Sequence, residues 1–290
     1  MVGEVSAGSL LSWRPAHRTA VSSERQCRMS EWPGPAMDEA GDATDSGRGV
    51  YGATRMSTLS PSEVTVWFWQ IPPGWTPPAA VTTSERTRAA AFATPHLRRW
   101  YEASVWFRRH VLSTVLAVAP EDVAFEVTAG GKPSVTRAQN PLDWRFNLAH
   151  SADVLVLAMV QGSEVGVDVE RIRPEVDWRG VAQVAFSEAE RQTLDGPLRF
   201  YSLWTAKEAY LKACGQGLAV PLLDITVEVA GEEIEVRQSL AGDRREWWGW
   251  SLRPAPKIHA AVVAERKDDT SRPLLRWRAL EEVGEGQDGT

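Results

Sequence analysis

Residues 154–170 read VLVLAMVQGSEVGVDVE, and how this stretch is read decides the fold. Val154–Val160 is an unbroken apolar run, far too short for the roughly 20 residues that cross a bilayer. It suits a fully buried strand. Gly162-Ser163-Glu164 supplies a turn, and Val165–Glu170 then alternates. On a strand that alternation puts Val165, Val167 and Val169 on one face, toward a core, and Asp168 and Glu170 on the other. Two neighbouring carboxylates repel unless a cation lies between them. A hard divalent ion such as Mg²⁺, which takes oxygen ligands, relieves that repulsion. Taken alone, an Asp-x-Glu pair is common and more often describes an exposed strand edge with scattered charge.

Upstream, Val64–Ile71 (VTVWFWQI) is β-branched and aromatic, and Pro72-Pro73 end it, so it reads as a strand. Ser84 is placed to cap a short Ala-rich helix that stops near Pro95. A long helix is expected over His96–Ala117, with Trp100, Phe107 and Val111 near one face and Arg98, Arg99, Arg108 and Arg109 on the other. Strands are expected at Val123–Thr128 and Arg145–Leu148, with a turn at Gly130-Gly131 between them. Downstream, Ser187 and Glu190 have capping-box spacing. Pro197 suits the first turn of a helix running to Cys214 and ending at Gly215. Strands follow at Ile225–Val229, Ile234–Gln238, Trp247–Leu252 and His259–Glu265.

Each half therefore holds a long helix and several strands, an α+β pattern of two lobes meeting near residues 160–165. The expected boundaries are 57–163 for the first lobe and 164–282 for the second, with a loose tail at 283–290. Residues 1–56 are rich in Gly, Ser and charge without apolar period, and read as a disordered extension. Met56 reads as the start of the folded part.

Of the 290 residues 43% are hydrophobic, enough for a sizeable core, and the formal net charge is −6. That balance argues against a general nucleic-acid binder. The two cysteines, Cys27 and Cys214, form neither a disulfide framework nor a zinc spacing, so a reducing cytoplasm is the expected compartment. The 14 tryptophans read mainly as packing, with Trp75 and Trp178 as exposed candidates for docking a partner helix.

Leu203–Lys212 (LWTAKEAYLK) places Glu208 and Lys212 four residues apart on one helix face. Such a pair is also an ordinary surface contact worth about 0.3 kcal/mol. The chain has only five lysines against 27 arginines, so Lys207 and Lys212 in one segment stand out. A lysine is a compact point charge suited to a phosphate oxygen. Phe146–Ser151 (FNLAHS) carries His150 near a strand end, and Gly130–Pro133 (GGKP) exposes Lys132 in a turn.

Each element is weak alone, but their order is specific. GGKP, FNLAHS, GVDVE, Phe186–Glu190 (FSEAE) and WTAKEAYLK resemble, in sequence, the motifs of the Sfp-type 4′-phosphopantetheinyl transferases. The resemblance covers about residues 62–265. It implies a pseudo-dimeric fold of two similar lobes, each a small sheet packed on a long helix, with coenzyme A in the cleft between them. It implies transfer of 4′-phosphopantetheine from coenzyme A to a serine of an apo acyl or peptidyl carrier protein, releasing adenosine 3′,5′-bisphosphate. By the same resemblance Asp168, Glu170 and Glu208 hold Mg²⁺, and Lys212 contacts the phosphate. Lys132, His150 and Arg99 are then coenzyme A contacts, Arg99 at the 3′-phosphate, with Lys207 a further candidate. Glu208 or a metal-bound water is the base, and the enzyme is expected to be a monomer without nucleic-acid or membrane partners.

Ala149 departs from the Ser or Thr usual in the family, which implies a lost hydroxyl contact to coenzyme A. A metal-dependent nuclease is disfavoured because residue 172, where such an enzyme carries its lysine, is Ile. A decayed, non-catalytic carrier-binding module is disfavoured because all three carboxylates and Lys212 are present.

Overall fold

A computed structural model describes residues 59–60, 63–78, 81–127, 132–215, 220–267 and 271–280. The extension at 1–56, the Gly130-Gly131 turn and the tail at 283–290 lie outside them. The chain builds β1 (Glu63–Gln70), α1 (Thr83–Ala90), α2 (Pro95–Leu116), β2 (Phe125–Val127) and β3 (Pro133–Val135). It continues through β4 (Trp144–Ser151), β5 (Val154–Gln161), β6 (Val165–Arg171), α3 (Trp178–Ala185), α4 (Glu188–Gln192) and α5 (Pro197–Cys214). The last strands are β7 (Thr226–Ala230), β8 (Glu233–Gln238), β9 (Glu246–Ala255), β10 (Ile258–Arg266) and β11 (Leu274–Ala279). None of these helices is long and apolar enough to cross a membrane.

Strand alternation sets the layers. One sheet runs β11-β1-β5-β4 and the other β6-β10-β9-β8-β7. Val64, Val66 and Phe68 of β1 share an apolar layer with alternate residues of β5 (Val154, Val156, Ala158, Val160). Val165, Val167 and Val169 of β6 and Ile258, Ala260, Val262 and Ala264 of β10 face them in the same layer. The opposite face of the first sheet, including Trp67, Trp69, Leu155 and Leu157, packs with Phe107, Val111 and Leu112 of α2. The opposite face of the second sheet, including Ala261 and Val263, packs with α5. The order is thus helix, sheet, sheet, helix, and both expected long helices lie on outer faces.

Local chemistry places the ends. Thr82, not Ser84, caps α1, because Thr82 and Glu85 close a reciprocal capping box. Thr94 caps α2 with Pro95 in its first turn. Arg109 does not lie on a solvated face as expected. It is buried, with Nε donating to Glu85 at 3.0 Å and Nη1 to the carbonyls of Pro120, Glu121 and Val123. Trp178, expected exposed, is also buried, against Phe200.

The lobe boundary differs from expectation at the C-terminal side. Residues 271–280 do not stay with the second sheet: β11 pairs parallel with β1, Val66 opposite Trp277. Arg276 meets Glu63 at 2.9 Å and the Leu280 amide donates to the Phe68 carbonyl at 2.9 Å. Arg272 remains on the second sheet, donating to the Gly249 carbonyl at 2.8 Å and pairing with Glu233. The segment therefore straps one sheet to the other.

Candidate functional site

The site begins with a glycine. A Cβ on Gly166 would lie 2.0 Å from the Ala209 carbonyl oxygen and 2.4 Å from the Ala213 amide nitrogen. Only a residue without a side chain lets α5 lie this closely on β6. Asp168 and Glu170 share that face of β6 with Gly166 and project toward α5, where Glu208 and Lys212 stand one turn apart. All three carboxylates are buried, exposed by 4%, 2% and 3% for Asp168, Glu170 and Glu208.

Lys212 holds the charges together. Its Nζ donates to Asp168 Oδ1 at 2.6 Å. Burial opposes the Lys212 charge, but Asp168, Glu208 and Glu170 outweigh it and push the ammonium up. Burial pushes the Asp168 carboxyl up, only partly offset by Lys212. Burial and then the charge on Asp168 push Glu208 up to about 7. Asp168 Oδ2 is buried with no hydrogen-bond partner.

The donor set suits a hard divalent cation: carboxylates alone, one orphaned oxygen, and more negative charge than one lysine neutralises. Among the described residues no three His, Cys, Asp or Glu side chains already stand as a closed ligand cluster. Lys212 takes Asp168 Oδ1, and Oδ2 is the orphaned oxygen.

The first sheet and α2 carry further candidate residues. His150 of β4 packs on Trp100 of α2, ring centroids 3.7 Å apart. Burial, with Lys212 adding to it, pushes its imidazole down to about 3. His150 is therefore neutral near pH 7 and serves as a hydrogen-bonding group, not a cation. Lys132 lies at the start of β6, donating to the Val165 carbonyl at 3.0 Å and to Glu164 at 3.5 Å. Arg99, one residue before Trp100, donates to the Pro72 carbonyl, and its Nε is buried with no hydrogen-bond partner.

Lys207 corrects an expectation. It is fully buried, pairs with Glu190 at 2.6 Å, and donates to the carbonyls of Ala185 and Leu222. Glu190 also accepts from the Ser187 and Val227 amides. Lys207 thus joins α5 to the ends of α3 and α4 and is not available to a ligand phosphate. Ala149 likewise faces the layer between the sheets, 1% exposed, so a hydroxyl there would meet valines and not a ligand.

Two polar residues gain roles that the motif alone did not assign. Asn147 Oδ1 accepts from the Val167 amide at 2.8 Å, and Ser151 donates to Glu170 at 2.7 Å. Their spacing on β4, with Ala149 between them, was the signal: i and i+4 on a strand share a face. Behind the carboxylates, His259 of β10 lies opposite Glu170 and contacts Thr205 at 2.9 Å and Ser251 at 3.2 Å.

Part of this chain is similar to known proteins. Residues 164–264 match the model of the 4′-phosphopantetheinyl transferase superfamily. The chain is 33% identical over 147 residues to 4′-phosphopantetheinyl transferase HetI of Nostoc sp., covering 49% of this chain and 62% of that protein. It is 41% identical over 113 residues to 4′-phosphopantetheinyl transferase AcpT of Salmonella typhi, covering 37% of this chain and 56% of that one. It is 29% identical over 185 residues to the L-aminoadipate-semialdehyde dehydrogenase-phosphopantetheinyl transferase of Schizosaccharomyces pombe, covering 56% and 70%. The chain thus spans between about half and 70% of the length of these relatives.

Proposed function

We propose, from the match of residues 164–264 to the 4′-phosphopantetheinyl transferase superfamily, that this chain belongs to it and moves 4′-phosphopantetheine from coenzyme A to an apo carrier protein. The acceptor is a serine hydroxyl of an acyl or peptidyl carrier, and the second product is adenosine 3′,5′-bisphosphate. The observation that carries the reading is the buried group of Asp168, Glu170 and Glu208 around Lys212, at the foot of a wall formed by His150 and Trp100.

Asp168, Glu170 and Glu208 are the residues to hold Mg²⁺. When bound, the ion neutralises charge on the coenzyme A pyrophosphate. Lys212 donates to a phosphate oxygen, adding positive charge where the pyrophosphate bond breaks. Glu208 accepts the proton as the serine oxygen attacks phosphorus. The pyrophosphate P–O bond then breaks and adenosine 3′,5′-bisphosphate departs. His150, neutral, donates a hydrogen bond to a coenzyme A phosphate, and Lys132 and Arg99 exchange their present partners for coenzyme A. We assign the work to the cytoplasm and to a monomer, since the family resemblance implies that two lobes of one chain form the cleft.

The test is direct. Full chain, Mg²⁺ and coenzyme A are incubated with a panel of apo acyl and peptidyl carriers, and intact mass is measured. At least one carrier is expected to gain the mass of one phosphopantetheine group, with Asp168→Asn and Glu208→Gln inactive but folded. No gain on any carrier overturns the reading.

A further inference from the structure

The β4 strand carries two polar side chains for which the transfer chemistry has no use. Asn147, Ala149 and Ser151 share one face, turned toward β6, which is the edge strand of the other sheet. An edge strand inside a molecule has amides that need partners. The Val167 amide donates to Asn147 at 2.8 Å and the Arg171 amide donates to Ser151 Oγ at 3.0 Å. Ser151, fully buried, does a second thing: its hydroxyl donates to Glu170 Oε2 at 2.7 Å.

We propose that Ser151 is a positioning residue for Glu170, reaching across the seam between the sheets to fix that carboxylate for a cation shared with Asp168 and Glu208. The inference rests on reading those carboxylates as a metal site. One hydroxyl accepts from the backbone of β6 and donates to a side chain of the same strand, so it locks the carboxylate to its own main chain. A donor on a buried carboxylate also favours its charged form. Groups that orient metal-binding carboxylates typically change metal affinity 10- to 100-fold when removed. The consequence is a cation site assembled by both lobes: ligands from the second, alignment from the first.

The probe is Mn²⁺ added to the full chain, followed by the electron paramagnetic resonance of free Mn²⁺ and by titration calorimetry. Ser151→Ala is expected to weaken Mn²⁺ binding about 10-fold, to raise the metal concentration needed for half-maximal transfer, and to leave the rate at saturating metal within a few-fold. The loss is expected not to add to that of Glu170→Gln in the double variant. Ser151→Thr, which keeps the hydroxyl, is expected to restore most of the affinity and provides the comparison where Ser151→Ala does not fold. Unchanged Mn²⁺ binding in folded Ser151→Ala, or full additivity with Glu170→Gln, overturns the role of Ser151. Where wild type binds Mn²⁺ and Asp168→Asn does not, that failure belongs to Ser151 alone; absence of binding in wild type overturns the metal reading with it.

Discussion

Lys207 and Lys212 look alike as letters and differ in kind as groups. Lys207 faces Glu190 with three acceptors around it and no solvent, whereas Lys212 faces Asp168 and keeps part of its side chain in solvent. Removing one partner of a buried pair leaves the other charge stranded, typically at about 3–5 kcal/mol. Lys207→Met is therefore expected to lower the urea-derived stability by that order, with transfer per folded molecule largely kept. Lys212→Met is expected to do the reverse, since Asp168 and Glu208, already pushed up, can take protons to relieve their charge. Equal stability loss in both variants would sink the distinction. The sequence could not separate them. Composition marked both lysines as unusual, but the deciding partner, Glu190, lies on another helix and meets Lys207 only after folding. Asp168, Glu170 and Glu208 were legible because period-two and period-3.6 spacing place a side chain on a face without knowledge of the partner.

At the scale of elements, the contact between β6 and α5 is what turns separate motifs into a site. Gly166→Ala would drive a methyl group into the backbone of Ala209 and Ala213. Overpacking of this kind costs about 1–3 kcal/mol, and here it also lifts α5 away from Asp168. The expected result is a large loss of transfer accompanied by a modest fall in thermal midpoint, and full activity would show that the close contact is not needed. The Thr205–His259–Ser251 chain ties α5 to the same sheet from behind. Burial, then Arg253, pushes His259 down to about 4. Its unfolded value is about 6.5, so between about pH 6.5 and 4 the unfolded chain binds the extra proton. Folding then loses stability as pH falls through that window, by a few kcal/mol. Glu208 works in the opposite sense over part of it, because its raised carboxyl gains from protonation in the folded state. Subtraction isolates the histidine: urea midpoints of wild type and His259→Gln are expected to converge as pH drops from 6.5 to 4, and a constant gap would exclude the buried neutral ring as the cause. Capping boxes, proline starts and apolar alternation made α4, α5, β5 and β6 readable. The short α3 was missed although Trp178, Val181, Ala182 and Ala185 recur at helical spacing behind the Asp177 cap, a signal its eight residues do carry.

At the scale of the molecule, two sheets face each other and two seams must be closed. At one seam β4 meets β6 through Asn147 and Ser151, beside the carboxylates. At the other, residues 271–280 run from Arg272 on the second sheet to β11 on the first. Nothing local in Leu274–Ala279 signals this crossing, since the partner strand β1 lies some two hundred residues earlier and pairs in parallel. Sequence order therefore assigned the segment to the wrong lobe. Its ion pairs, Arg276 with Glu63 and Arg272 with Glu233, each have one solvent-exposed partner and contribute at most about 1 kcal/mol each. The strand itself matters more: it gives β1 a second hydrogen-bonded neighbour and sets Trp277 against Phe68, ring centroids 5.8 Å apart. A chain ended after residue 270 is thus expected to melt several degrees lower than one carrying both Arg272→Ala and Arg276→Ala, on the scale of about 2–4 °C per kcal/mol for a domain of this size. Differential scanning calorimetry of the three proteins checks it. Because the strap lies at the seam away from Glu170, Mn²⁺ affinity of the shortened chain at a temperature where it is folded is expected to match wild type. A matching midpoint in the shortened chain would mean that the β4–β6 seam holds the sheets together without help.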